Sequence, residues 1–106
     1  MAAQGLLATN AIATTADTLV YTCPVSSSGS VTINICNVSG SAIKVRVALT
    51  AVVGAPSSSD YIVYQQYIAN EEYLTIPGIV LDAGNSIYVK SDVGNAATTK
   101  VWGYID

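Results

Sequence analysis

The side chains that could carry out chemistry are few, and the chain contains no histidine. Without an imidazole, neither a Ser-His-Asp arrangement nor a Cys-His pair can form, and most zinc sites are excluded. The carboxylates suggest no catalytic pair either, because Glu71 and Glu72 are adjacent and would point to opposite faces of a strand. Cys36 is the one potentially reactive side chain, and no basic partner is predicted beside it. We therefore expect no enzymatic activity, no metal site and no cofactor.

The composition indicates one small domain with an unusually uncharged surface. Its 106 residues suffice for one modest core. Only 10% of the residues are charged, so much of the surface must be small polar residues or be covered by another chain. The net charge is −3 and only four residues are basic, which argues against nucleic acid as a partner, because its binding requires several neutralised phosphates.

The first residues lack the basic start and long apolar centre of a signal peptide, because Gly5, Thr9 and Asn10 interrupt the short apolar runs. No apolar run approaches the length that a bilayer requires. We therefore expect synthesis in the cytoplasm without export, and no membrane partner. In that compartment the two cysteines, Cys23 and Cys36, are expected to be free thiols.

Apolar and polar residues alternate from Val31 to Thr50 on both sides of a Ser39-Gly40 turn, which predicts a β-hairpin with one buried face. Asn37 matches an N-glycosylation acceptor, but we interpret it as a turn residue. Similar short patterns recur along the chain without helical periodicity. They predict strands near Thr18–Cys23, Ser30–Val38, Ala42–Thr50, Asp60–Tyr64, Glu72–Ile76, Ser86–Ser91 and Thr98–Ile105. Seven to eight such strands indicate an all-β fold, a single antiparallel β-sandwich of jelly-roll type.

The predicted sandwich comprises residues 17–106. Residues 1–16 are rich in Ala and Thr and lack firm periodicity, so they are interpreted either as an amino-terminal arm laid on a neighbouring subunit or as an extra strand.

The last two strands predict which side chains face outward. Ile87 and Val89 alternate with Tyr88 and Lys90, and Val101 precedes Trp102. If the Val and Ile side chains form the core, the residues that point outward form one surface of aromatic and long basic side chains. Gly103 has no side chain and would leave space on the inner side. This candidate interface consists of Trp102, Tyr104, Tyr88, Lys44, Arg46, Lys90 and Lys100. Three explanations of Trp102 stay open: a protein interface, a place in the core or under the amino-terminal arm, and a sugar-stacking platform.

Five segments carry a resemblance to a known group of proteins. They are DTLVYTCP (Asp17–Pro24), VTINICNVSGSAIKVRVAL (Val31–Leu49), DYIVYQQYIANEEYL (Asp60–Leu74), GIVLDAGNSIYVKS (Gly78–Ser91) and VWGYID (Val101–Asp106). In this order the chain resembles small virion structural proteins of tailed bacteriophages, including those that infect cyanobacteria and other marine bacteria.

The resemblance implies a β-sandwich at the virion surface. The expected function is that of a capsid decoration or cement protein that forms a homotrimer and binds major capsid subunits, thereby stabilising the head. Two alternatives stay open: a tail, collar or fibre component, and a carbohydrate-binding adsorption module that uses Trp102. The resemblance implies no set of binding residues. The candidate interface therefore depends only on which side chains the alternation predicts to point outward.

Overall fold

Eight β-strands and one short 3-10 turn make up the regular structure of the computed structural model, which describes residues 3–106. The strands are β1 (Ala3–Ile12), β2 (Thr18–Thr22), β3 (Gly29–Asn37), β4 (Ile43–Thr50), β5 (Tyr61–Ile68), β6 (Tyr73–Leu81), β7 (Ser86–Ser91) and β8 (Ala97–Ile105). The 3-10 turn, Ser58–Asp60, precedes β5. Within residues 3–106 no helix has the length and apolar character needed to cross a membrane. The all-β prediction is confirmed.

The strands form two four-stranded sheets packed as a β-sandwich, and all pairings are antiparallel. One sheet has the order β1-β8-β3-β6 and the other the order β2-β7-β4-β5. Four of the pairs join β1 to β8, β2 to β7, β3 to β6 and β4 to β5. The chain thus resembles one long hairpin, folded back between β4 and β5 and rolled so that successive pairs alternate between sheets. This strand order corresponds to that of a jelly roll, and the predicted β-sandwich is confirmed.

The core lies between the sheets and consists mainly of the β-branched residues Ile and Val. Val31, Ile33 and Ile35 of β3 face Val45 and Val47 of β4 across the sandwich, and all five are buried. Burying each such side chain contributes on the order of 2 kcal/mol, which is the main source of stability for a chain of this size. The polar residues between them point outward, so the period-2 pattern decides which face of each strand is buried.

The predicted hairpin from Val31 to Thr50 is wrong, because β3 and β4 lie in different sheets and do not pair. Both strands have the predicted alternation, and their apolar sides do face a common core. The connection between Asn37 and Ile43, however, crosses from one sheet to the other. Sheets that pack face to face are about 10 Å apart, and five residues can span that gap.

The amino-terminal segment forms an extra strand of the same sandwich. β1 pairs with β8 from Ala3 opposite Ile105 to Ile12 opposite Ala97, and Ile12 is fully buried. The sandwich therefore begins well before the expected boundary at Asp17. Met1 and Ala2, which belong to the expected arm, lie outside the described residues.

Two strands run further than predicted. β5 continues from Tyr64 to Ile68, and β6 continues past Ile76 to Leu81. The extension of β6 passes Pro77 and Gly78 at a bulge, where the register against β3 shifts and Gly78 has a φ of +71°. Because β6 is at the edge of its sheet, Pro77 removes no essential ladder hydrogen bond.

Candidate interaction surfaces

The sandwich has two outer faces, and the predicted interface residues are divided between them. Face A is the outer side of the β1-β8-β3-β6 sheet, and face B is the outer side of the β2-β7-β4-β5 sheet. Face A carries Lys100, Trp102 and Tyr104; face B carries Lys44, Arg46, Tyr88 and Lys90. The prediction of one continuous surface is therefore wrong. Its physical reason is that β7 and β8 are consecutive in the chain but lie in opposite sheets.

Trp102 points outward on face A, as the alternation predicts. Its neighbour Val101 is fully buried, whereas 39% of Trp102 remains exposed. Across the sheet, Trp102 lies opposite Leu6 on β1 and Thr32 on β3. Trp102 therefore does not lie in the core. The amino-terminal segment lies beside Trp102 as strand β1 of the same sheet.

An apolar patch surrounds Trp102. Leu6 is 61% exposed, Tyr104 is about half exposed, and Val80 on the edge strand β6 is 75% exposed. Tyr104 and Val80 are both register partners of Ser30, so they lie in one row across the sheet. We call Leu6, Val80, Trp102 and Tyr104 patch A. Exposed large apolar side chains that share one face of a sheet are typical of surfaces that another protein covers.

Gly103 leaves no space on the inner side, contrary to the prediction. It lies opposite Val31 in the β3-β8 pair, and its φ is +154°. A Cβ atom at this position would overlap the carbonyl oxygen of Ser30 and lie 2.7 Å from the Cα atom of Val31. The missing side chain therefore allows the two backbones to approach each other closely.

Tyr88 on face B contributes little to the surface. Only 8% of its area is exposed, and its hydroxyl oxygen accepts a 2.9 Å hydrogen bond from the backbone N–H of Gly54. The loop after β4 therefore contacts this side chain directly. An open depression of about 260 Å³ lies beside it, lined by Thr50, Ala51, Val52, Gly54, Ala55 and Asp60. Its one carboxylate, Asp60, accepts a 2.8 Å hydrogen bond from the Ser57 backbone N–H.

Three tyrosines outside the predicted interface lie in a row along β5. Tyr61, Tyr64 and Tyr67 are spaced by three residues, so a regular strand would place Tyr64 on the opposite face from the other two. Two register shifts against β4 correct the phase. As a result Tyr61 lies opposite Ala48, Tyr67 lies opposite Lys44, and the Tyr64 ring packs against Arg46 between them. We call these three residues the tyrosine row.

Arg46 is held in place by the tyrosine row. Its guanidinium carbon is 4.1 Å from the centre of the Tyr64 ring and 5.7 Å from that of Tyr61. Its Nε donates a 2.8 Å hydrogen bond to Oε1 of Gln65, a residue with a φ of +57° in the second bulge. The bulge thus positions both the ring and the amide that hold the guanidinium group.

The Tyr61 hydroxyl is engaged with Asp17, which precedes β2. It donates to both carboxylate oxygens, at 3.0 and 3.1 Å. Burial, together with the hydrogen bond and negative charge of Asp17, raises the pKa of Tyr61 above its ordinary value of 10.0, although Arg46 acts in the opposite direction. Tyr61 and Tyr64 also pack edge to face, with ring centres 5.5 Å apart. The row is therefore anchored at one end.

Both cysteines are free. Cys23 is buried between the sheets, and Cys36 is partly exposed on face A. In the described part of the chain no three Cys, Asp or Glu side chains come together in a way that could hold a metal ion. No protein-family model matches the sequence, and a search of curated proteins finds no match.

Proposed function

We propose that this protein is a structural component of a bacteriophage virion, a decoration or cement protein that binds major capsid subunits through patch A. The resemblance of five sequence segments to small phage virion proteins supports the class. The observation that carries the choice of surface is the exposed apolar cluster around Trp102 on face A. The protein would be made in the host cytoplasm and end on the virion surface.

The chemistry of patch A fits a protein partner. Trp102 and Tyr104 are of the residue types most enriched where protein interfaces have their largest binding energies. Leu6 and Val80 extend the apolar area on either side of them. Lys100 lies beside the patch, and its Nζ is 3.4 Å from Oγ1 of Thr9. An apolar centre with a polar border is the usual organisation of such interfaces.

The mechanism is passive. Each bound copy adds buried interface between capsid subunits, which must be lost before the shell can rupture. Trimer formation would give each particle-bound unit three copies of patch A, so weak individual contacts would add up through multivalency. The low charge of the chain is consistent with a surface that is partly covered in the assembly.

Binding to phage particles that lack the protein tests this proposal. Purified wild-type protein is added to such particles, and the bound copies are counted and located by electron microscopy. We expect saturable binding over the whole shell, and binding about tenfold or more weaker for Trp102→Ser, because truncating a central aromatic residue typically costs at least 2 kcal/mol. The matched control is Tyr67→Ser on face B, which should bind normally.

Two results would overturn the proposal. Absence of binding to the shell would remove the decoration function. Binding confined to one vertex would instead assign the protein to the tail, collar or fibre.

A further inference from the structure

The three rings of the tyrosine row share one face because β5 departs from regular strand geometry. Two bulges within eight residues are needed to bring all three rings onto face B. One of them holds Gln65 in the left-handed region, which is unfavourable for a residue other than glycine and persists only where the surroundings support it. Tyr64 and Tyr67 nevertheless remain 61% exposed. The strand geometry therefore places aromatic rings where no part of the described chain covers them.

Basic residues gather on the same face. Lys44, Arg46 and Lys90 are three of the four basic residues in a chain of net charge −3. Arg46 and Lys90 are direct cross-strand neighbours, an arrangement in which like charges repel. The side-chain hydrogen bond of Arg46 goes to the neutral amide of Gln65. This face therefore gathers most of the basic residues of an acidic protein.

Two carboxylates lie near these residues, and each accepts a hydrogen bond from a neutral donor. Asp17 accepts from the Tyr61 hydroxyl, and Oδ1 of Asp92 accepts a 2.9 Å hydrogen bond from the backbone N–H of Lys44. The guanidinium group of Arg46 donates one N–H to Gln65 and packs over the Tyr64 ring. Its other N–H donors remain available for an anionic group.

The shape of face B selects among anionic ligands. The depression beside Tyr88 does not include the tyrosine row, so the row is an open strip that suits an extended ligand. An extended peptide would bind an edge strand such as β5 by adding a strand, but the two bulges interrupt the required ladder. Nucleic acid owes much of its affinity to the neutralisation of many phosphates along the backbone, and the face offers three cations.

We infer that the tyrosine row, together with Lys44, Arg46 and Lys90, is a binding site for an anionic polysaccharide, a chain of sugars that carries carboxylate or sulfate groups. Tyr64 and Tyr67 offer exposed ring surfaces for the C–H faces of the sugars. The three cations bind the acidic groups. This function is independent of capsid binding, because patch A lies on the other side of the sandwich.

Calorimetric titration of the isolated protein tests the inference with two pairs of probes. The first pair is an oligogalacturonate and its fully methyl-esterified form, which has the same sugars without the charges. The second pair is dextran sulfate and dextran. We expect binding to at least one acidic probe and none to its neutral counterpart. Raising the salt concentration should weaken this binding.

Variants show whether the tyrosine row is the site. Tyr67→Ala should weaken binding about tenfold, or about 1.4 kcal/mol, because one of the two exposed rings that contact the sugars is lost. Arg46→Gln should weaken it at least as much, because it removes the most firmly held cation. Tyr104→Ala removes a comparably exposed tyrosine from face A and should leave the affinity unchanged. Unaltered melting temperatures would exclude misfolding as the cause.

Three results would overturn the inference. The first is the absence of binding to both acidic probes. The second is equal binding of each acidic probe and its neutral form. The third is equally tight binding of polyglutamate or oligothymidylate with no effect of Tyr67→Ala, which would indicate attraction of any polyanion. Because no phage particle is present, none of these results bears on capsid binding.

Discussion

The side-chain amide of Asn37, at the end of β3, donates a 3.1 Å hydrogen bond to the carbonyl oxygen of Ile68, at the end of β5. These strands belong to opposite sheets, so the bond joins the two layers at one end of the sandwich. The same amide lies 2.8 Å from the carbonyl oxygen of Ser41 and 3.1 Å from that of Ala69. The Oδ1 atom accepts from both the N–H and the hydroxyl of Ser39. Asn37 therefore organises the crossing between β3 and β4.

Replacing Asn37 with alanine should destabilise the protein strongly. The side chain is almost fully buried, and its loss would leave several backbone groups without partners, at a cost of about 3 kcal/mol. The midpoint of urea unfolding should fall while the denaturant slope stays the same. Asn34→Ala is the matched control, because its 2.9 Å bond to Thr75 is exposed, and it should cost less than about 1 kcal/mol. Equal losses for the two variants would contradict this role of Asn37.

Replacing Gly103 with alanine should also destabilise the protein, by about 2 kcal/mol or more, because the new methyl group would collide with the backbone of β3. Backbone atoms cannot move aside as a flexible side chain can. Gly40→Ala is the control, because no heavy atom would lie within 4 Å of its Cβ, and its effect should stay within about 0.5 kcal/mol. Thermal and urea unfolding of both variants provide the measurement. If Gly103→Ala is as stable as Gly40→Ala, the close approach is not essential.

The sequence predicts side-chain facing well, because alternation is a local property. Ile87, Val89 and Val101 are buried and Trp102 points outward, as expected from their order along the strands. Strand partners are not local. The connection between Asn37 and Ile43 could turn back within one sheet or cross to the other sheet. The alternation within β3 and within β4 would be the same in both cases, so it does not distinguish them. The division of the predicted interface between faces A and B follows from this ambiguity.

The tyrosine row was not predicted from the sequence, because it depends on the β-bulges of β5. Strict alternation assigns Tyr64 to the face opposite that of Tyr61 and Tyr67, and no residue in the segment signals a bulge as a glycine would. The spacing of three tyrosines by three residues was the available signal. Its meaning becomes clear only when the register against β4 is known.

The two thiols should differ greatly in reactivity. Cys23 is almost fully buried, and burial, with a further contribution from the Asp82 carboxylate, raises its pKa above the ordinary value of 9.0. Cys36 is partly exposed on face A. We expect one thiol per chain to react promptly with a disulfide reagent at pH 8, and the second about a thousandfold more slowly, through opening of the fold. Cys36→Ser should abolish the prompt phase and Cys23→Ser should preserve it; two prompt thiols in the wild type would contradict the burial of Cys23.

Stability should fall in alkaline solution because three groups hold their protons more tightly in the folded state. Burial is the main cause of the raised pKa values of Cys23, Tyr21 and Tyr61. Above the ordinary values of 9.0 for the thiol and 10.0 for the phenols, the unfolded chain loses these protons first. The unfolded state then binds fewer protons than the folded state, so the free energy of unfolding decreases as the pH rises. The stabilising contribution is fully present below about pH 9 and is lost as the pH passes the raised values.

Tyr61→Phe isolates one part of this effect. It removes a group with a raised pKa, so the free energy of unfolding should fall less steeply above about pH 10 than in the wild type. At pH 7 the variant should be slightly less stable, because the hydrogen bonds from the Tyr61 hydroxyl to Asp17 are lost. Urea unfolding between pH 7 and 11 measures both quantities, and Tyr21→Phe provides a second, independent reduction of the slope. An alkaline slope in Tyr61→Phe identical to that of the wild type would show that the bond to Asp17 and the burial of this phenol do not affect its ionisation.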